Sequence, residues 1–124
     1  MSKNPIDLLK SIANLLDEKK SFQIFAMDVT GISSITDFVL IASGNVERHV
    51  IALAKEIEKF MKKNGESSHL SEGMDTGDWV VLDYFKFTVH IQIPEIREKY
   101  RLEGLWPDAK IIDLGVKNRG TNFG

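Results

Sequence analysis

Apolar residues recur at helical spacing in two long segments of the chain. Asn4 and Pro5 precede the first repeat, and asparagine at the N-cap followed by proline at the first helical position is typical of a helix start. Asn45 is the predicted N-cap of the second repeat, and Asn64-Gly65 follows it, as is common at a helix end. The pattern therefore predicts two amphipathic helices, with buried stripes of Ile6, Leu9, Ile12, Ala13 and Leu16 in the first and Val50, Leu53, Ala54, Ile57, Phe60 and Met61 in the second.

Apolar runs of strand length lie between and after these helices. Residues 22–28, 36–43, 79–84 and 87–93 predict four strands, and residues 68–70 predict a short edge strand. The run 36–43 is apolar on both faces, so we expect it near the centre of the sheet. Pro94 ends the last strand, and residues 95–105 predict a short helix. Between the last two long strands stands Phe85-Lys86, where a tight hairpin normally has glycine or asparagine.

These elements predict one α/β domain of the two-layer α+β type over residues 1–110. The expected sheet is mixed, has about five strands and has the two main helices on one face. Residues 111–124 show little periodicity and contain three glycines, which favours an extended, mobile tail. Two helices cover only one face of such a sheet, so the other face should be at least partly open.

Alternation along the strands predicts which side chains the open face carries. If Val80 and Leu82 face the helices, Trp79 and Asp83 lie on the other face near His90. Exposed aromatic residues mark interaction sites, and tryptophan is frequent among binding hot spots. The alternative is that Trp79 only covers the sheet edge or packs under the C-terminal tail.

Composition limits the partners that such a surface can have. The 124 residues include 16 basic and 18 acidic residues, for a net charge of −2, and no block of lysine and arginine. Because phosphate contacts dominate nucleic-acid affinity, direct nucleic-acid binding is not expected. There is no cysteine, no run near the ~18 apolar residues that a membrane span needs, and no apolar signal segment at the start, so we expect a cytoplasmic protein.

The polar residues offer no complete catalytic or metal site. The three histidines, His49, His69 and His90, lack the spacing of zinc ligands and are expected to make structural or interface hydrogen bonds. Asp37 has no second acid two residues later, and Gly44-Asn45 lacks the lysine of a phosphate loop. We therefore predict no catalytic residue, no cofactor and no metal.

Several segments together resemble the ribosomal silencing factor family, also called Iojap-like. The resemblance runs from about residue 6 to residue 108, and no single segment is diagnostic, but their order and spacing are specific. The segments are Asp28-Val29, Ser33-Ser34-Ile35-Thr36-Asp37-Phe38, Ala42-Ser43-Gly44, Arg48-His49-Val50, Asp78-Trp79-Val80-Val81-Leu82-Asp83-Tyr84, Val89-His90, Arg97 with Tyr100, and Leu102-Glu103-Gly104-Leu105-Trp106-Pro107-Asp108.

The resemblance implies a function that requires no chemistry. Members of this family bind the large ribosomal subunit through its protein fourteen and block the docking of the small subunit, which represses translation. Organelle relatives act in ribosome assembly, some members form homodimers, and the family fold is nucleotidyltransferase-like without the catalysis. Carried onto this chain, the partner-binding surface corresponds to Trp79, Asp83, His90, Arg97 and Tyr100.

Three alternatives stay open at this point. One is a role in assembly of the large subunit. Another is a nucleotidyltransferase-like, metal-dependent enzyme that uses Asp37, Asp83 and His90, although the missing acidic pair argues against it. The third is a homodimer in which the two open sheet faces pair.

Overall fold

The computed structural model describes residues 4–116, which form three α-helices, one 3-10 helix and six strands. The helices are α1 (Pro5–Glu18), α2 (Glu47–Lys63) and α3 (Pro94–Tyr100), and a 3-10 helix (Leu102–Leu105) follows α3. The strands are β1 (Phe22–Asp28), β2 (Phe38–Ser43), β3 (Leu70–Glu72), β4 (Trp79–Asp83), β5 (Phe87–Gln92) and β6 (Lys110–Ile112).

The strands form one mixed sheet in the order β3-β4-β5-β2-β1-β6. Only β2 and β5 pair in parallel, and the other pairs are antiparallel. The predicted class, a mixed sheet in a two-layer α+β fold, is confirmed, and β2 is internal as its apolar run indicated. The strand count was one too low, because β6 is only three residues long and pairs with β1 in a segment that lacks periodicity.

Strand β6 includes the first residues of the predicted C-terminal tail. Residues 111 and 112 belong to this edge strand, and Leu114 is buried in the main core. The remainder of the predicted tail, residues 117–124, lies outside the described residues. The domain boundary at residue 110 therefore stays a prediction.

The two long helices begin in different ways. Asn4 caps α1 as predicted, and its Oδ1 accepts a hydrogen bond of 2.8 Å from the backbone N–H of Ile6. The prediction that Asn45 caps α2 was wrong, because the N-cap is Val46. Instead, the N–H of Asn45 donates to Nδ1 of His49 (2.9 Å), and Nε2 of the same ring lies 2.9 Å from the carbonyl of Lys19. His49 therefore ties the start of α2 to the end of α1, which is the structural role expected for it.

The main core lies between the sheet and the helices α1 and α2. Its strand residues alternate as the pattern predicts, and they include Ile24, Ala26, Leu40, Ala42, Val80, Leu82, Val89 and Ile91, each at most 1% exposed. Burial of these side chains supplies the main apolar contribution to stability. The core faces of the strands thus point away from the second face of the sheet.

The second face is covered over half of its width. Leu102 packs there on Phe25, Met27, Val39 and Ile41, and the half-buried Trp106 borders the same cluster. The predicted helix 95–105 is broken, since Arg101 adopts the left-handed conformation (φ 45°) and redirects the chain into the 3-10 helix. This break places Leu102 over β1 and β2. Within residues 4–116, no comparable apolar cover lies over β3 and β4, whereas Thr88 and Gln92 on the second face of β5 are buried (9% and 0% exposed).

Candidate interaction surface

The register of β3, β4 and β5 places eight side chains on the second face, of which Thr88 and Gln92 are buried and the other six are at least partly exposed. Val81 pairs with His90, Asp83 pairs with Leu70, and Glu72 pairs with Val81, so these residues share a side of the sheet with Trp79. We call this surface the open half-face; it consists of Leu70, Glu72, Trp79, Val81, Asp83 and His90. None of the three strands contains a lysine or an arginine, so the charges on the open half-face are those of two carboxylates.

Trp79 lies at one end of the open half-face and contacts two other rings. Its Nε1–H donates a hydrogen bond of 3.1 Å to Nδ1 of His90, and its ring lies 5.0 Å from the ring of Tyr100, tilted by 46°. Trp79 is half-buried against the second apolar cluster, whereas Tyr100 is 47% exposed. Part of the Trp79 side chain therefore packs on the sheet, as the alternative proposed. The pair of Trp79 and Tyr100 is nevertheless partly exposed.

His90 accepts the hydrogen bond of Trp79 as a neutral imidazole. Burial lowers the pKa of His90 to about 4, because the charged form would lose its hydration. The ring is therefore uncharged at neutral pH, with Nδ1 as the acceptor. An uncharged ring in this position fixes the orientation of the indole and adds no positive charge to the open half-face.

Arg97, which the resemblance places on the partner-binding surface, is buried in the structure. The residue is 5% exposed, and its guanidinium donates a hydrogen bond of 2.8 Å from Nη1 to Oγ of Ser43, at the end of β2. Burial lowers the pKa of Arg97 to about 10, and the nearby carboxylate of Glu103 opposes this shift. Arg97 therefore remains charged at neutral pH but lies beneath the surface rather than on it.

Asp37, Asp83 and His90, the residues of the enzyme alternative, make three separate interactions. Asp37 lies 3.9 Å from Nζ of Lys86, Asp83 accepts a hydrogen bond of 2.9 Å from the N–H of Phe85, and His90 accepts from Trp79. Within residues 4–116, no three His, Asp or Glu side chains are grouped so that they could hold a metal ion. No helix in this range is long and apolar enough to cross a membrane.

Sequence reasoning missed two parts of the surface. Leu70 and Glu72 were not included because the edge strand was predicted at 68–70, whereas β3 spans Leu70–Glu72. The stacking of Tyr100 on Trp79 was also missed, because it depends on how α3 packs against the sheet. The alternation of apolar and polar residues in β4 and β5 did locate Trp79, Asp83 and His90 on one face.

The fold and this surface define a small α+β protein with one sheet face buried under helices and an aromatic, acidic surface on the other. Residues 2–122 match the family described as "Ribosomal silencing factor during starvation". The chain is 38% identical over 108 residues to the ribosomal silencing factor of Halalkalibacterium halodurans, an alignment that covers 87% of this chain and 92% of that protein. The chain belongs to the ribosomal silencing factor family, whose members take part in ribosome-associated regulation of translation or assembly.

Two further similarities extend this result. The fold matches the crystal structure of a Chromobacterium violaceum protein with a TM-score of 0.81 at 27% identity, covering 95% of this chain and 98% of that one. The chain is also 32% identical over 129 residues to a mouse protein named for mitochondrial assembly of the ribosomal large subunit, covering 98% of this chain and 55% of the mouse protein. The proteins similar to this chain thus include bacterial ribosomal silencing factors and an animal protein named for ribosome assembly.

Proposed function

We propose that this protein is a cytoplasmic ribosomal silencing factor that binds the large ribosomal subunit through ribosomal protein fourteen. The bound protein occupies the face on which the small subunit docks, so translation is repressed by steric exclusion. The observation that supports this proposal most is the exposed aromatic pair of Trp79 and Tyr100 on an open sheet face in a member of this family. This mechanism needs no catalytic residue, no cofactor and no metal.

The size of the open half-face supports a role at the centre of such an interface. Three strands about 4.8 Å apart, with residues about 3.3 Å apart along β4, offer roughly 200–300 Å² of flat surface. A standard protein interface buries roughly 800 Å² on each partner. The open half-face therefore supplies the core of the contact, and neighbouring parts such as Tyr100 extend it.

The charge of this surface favours a protein partner over RNA. Glu72 and Asp83 are carboxylates, His90 is neutral, and the strands contribute no basic side chain. RNA phosphates would be repelled, since nucleic-acid affinity depends on basic residues. A ribosomal protein with basic side chains among its surface residues is the complementary partner on the large subunit.

Binding of purified ribosomal protein fourteen, and of purified large subunits, tests the proposal. We expect Trp79→Ala to weaken both by about 30-fold or more, because hot-spot residues contribute 2 kcal/mol or more. The matched control is Phe85→Ala, which removes an aromatic side chain that is 66% exposed at the β4–β5 turn and outside the open half-face. Wild-type affinity for the folded Trp79→Ala protein would refute the assignment, and equal losses in both variants would mean that the surface is misplaced.

A role in assembly of the large subunit is the second candidate function, and the name of the mouse relative favours it. The same surface would serve both roles, since each requires attachment to the large subunit. Depletion of the protein from growing cells separates them: accumulation of incomplete large subunits supports assembly, and normal subunits with unrepressed translation support silencing. A homodimer through paired open faces would instead show as a concentration-dependent change in mass that Trp79→Ala abolishes.

A further inference from the structure

A chain of hydrogen bonds connects strand β1 to helix α3 through the end of β2. Oγ of Ser43 donates to Oε1 of Gln23 (3.0 Å) and accepts from Nη1 of Arg97 (2.8 Å). Ser43 is 0% exposed and Arg97 is 5% exposed, so this part of the chain lies inside the protein, whereas Gln23 is half-buried. The carbonyl of Ser43 is held as well, by a hydrogen bond of 2.8 Å from Oγ of Ser21. The serine therefore joins three segments that are distant in sequence.

Gln23 reaches Ser43 from an unusual backbone conformation. The pairing of β1 with β2 shifts register between Phe22 and Phe25, and Gln23 within this bulge has φ 53°. A positive φ is unfavourable for a residue other than glycine, and bulges often serve to re-aim a side chain. The strained conformation at Gln23 brings its amide oxygen to Ser43. The bulge therefore serves to position the Gln23 side chain.

Arg97 connects these hydrogen bonds to the interaction surface. In α3, Arg97 and Tyr100 are three residues apart and so lie on neighbouring positions of the same helix face. Arg97 is held by Ser43 at the sheet, and Tyr100 packs its ring on Trp79 at 5.0 Å. A helix of seven residues has little stability of its own, so its placement depends on such tertiary contacts.

We propose that Gln23, Ser43 and Arg97 are positioning residues that hold α3 so that Tyr100 packs against Trp79. Arg97 thereby contributes to partner binding through Tyr100, without contacting the partner. A buried guanidinium is costly to desolvate, and a buried ionic group of this kind is retained in some proteins because it enforces one arrangement. The consequence for binding rests on the proposed function, whereas the effect on the Trp79–Tyr100 pair does not.

The first experiment measures the pair without any partner. The indole N–H resonance of Trp79 in ¹H–¹⁵N NMR spectra senses the ring of Tyr100. We expect Ser43→Ala, Gln23→Ala and Arg97→Met to move this resonance in the direction in which Tyr100→Ala moves it, while Arg48→Met, at an exposed arginine of α2, leaves it in place. An unchanged resonance in folded Ser43→Ala and Gln23→Ala proteins would overturn the proposal.

The second experiment is a double-mutant cycle on binding to the large subunit. We expect Arg97→Met and Tyr100→Ala each to weaken binding about 10-fold, and the double variant to be within about twofold of Tyr100→Ala alone, since one residue acts through the other. Direct contact by Arg97 predicts that the two losses multiply to about 100-fold, which would refute the positioning role.

Ser43→Ala separates loss of positioning from loss of direct contact, because a fully buried serine cannot contact a partner. It should reproduce the loss caused by Arg97→Met, and wild-type binding by Ser43→Ala would contradict the proposal. If Arg97→Met does not fold, Ser43→Ala and Gln23→Ala still test whether these hydrogen bonds position α3. If the wild-type protein does not bind large subunits, the proposed function fails, and the NMR result still tests the positioning role.

Discussion

Replacement of Gly73 by alanine tests how the start of β4 is built. Gly73 has φ +88°, and a Cβ atom at this position would lie 2.0 Å from the carbonyl oxygen of Trp79. An ordinary contact between these atoms needs more than 3 Å, so one of the two backbone segments must move by over 1 Å. Because the carbonyl belongs to Trp79, the strain falls on the residue that anchors the interaction surface.

Gly65→Ala is the matched control for this change. Gly65 has φ +80°, nearly the same conformation, but no other atom of the described part of the chain lies within 4 Å of the position of an added Cβ. The left-handed conformation costs alanine about 1–2 kcal/mol, partly offset by about 0.4–1 kcal/mol from the restricted unfolded chain. We therefore expect Gly65→Ala to lower the free energy of unfolding by about 1 kcal/mol.

Gly73→Ala carries the same conformational cost and adds the backbone overlap. We expect a loss of at least about 3 kcal/mol, a large part of the roughly 5–15 kcal/mol that stabilises a domain. Urea denaturation followed by the fluorescence of Trp79 and Trp106 measures both variants. Losses within about 0.5 kcal/mol of each other would show that Gly73 does not approach Trp79 closely and would contradict this prediction.

Two further predictions concern the cover of the second face and the charge state of His90. Leu102→Ala should lower the free energy of unfolding by about 2–4 kcal/mol, because Leu102 is 7% exposed. Leu105→Ala in the same turn should change it by less than about 0.5 kcal/mol, because Leu105 is 61% exposed. Denaturant titration measures both variants, and similar losses would contradict the packing of Leu102 on the second face. The pKa of His90 is about 4 when folded and 6.5 when unfolded, so the unfolded chain binds the proton first and stability falls as the pH drops through this window. The loss reaches at most about 3 kcal/mol. Denaturation between pH 7 and pH 4.5 should show a steeper decline for the wild type than for His90→Gln, and parallel declines would show that His90 is not held neutral.

Periodicity predicted the elements whose side chains face one large core. The stripes of α1 and α2 and the alternation in β4 and β5 depend on burial against the same layer, so they are visible in the sequence. The strand β2 is apolar on both faces because a second cluster, capped by Leu102, lies behind it. The pattern therefore indicated the sheet, the layer of helices and the face on which Trp79 lies.

The parts that were not predicted depend on single contacts or on conformations without a periodic signal. Arg101 ends α3 in the left-handed region although it is not glycine, so nothing in the run 95–105 marks the break. Phe85 likewise has φ 69° at the β4–β5 turn, where Asp83 accepts a hydrogen bond from its N–H. Arg97 looked like a surface residue because arginine usually is one, and only the proximity of Ser43 explains its burial.

Sedimentation of purified large and small ribosomal subunits with this protein is the direct test of steric exclusion. We expect increasing amounts of the wild-type protein to leave the subunits separate and to sediment with the large subunit. The folded Trp79→Ala variant should permit the subunits to join at the same concentrations, and Phe85→Ala should behave as the wild type. Joined subunits in the presence of saturating, bound wild-type protein would contradict steric exclusion.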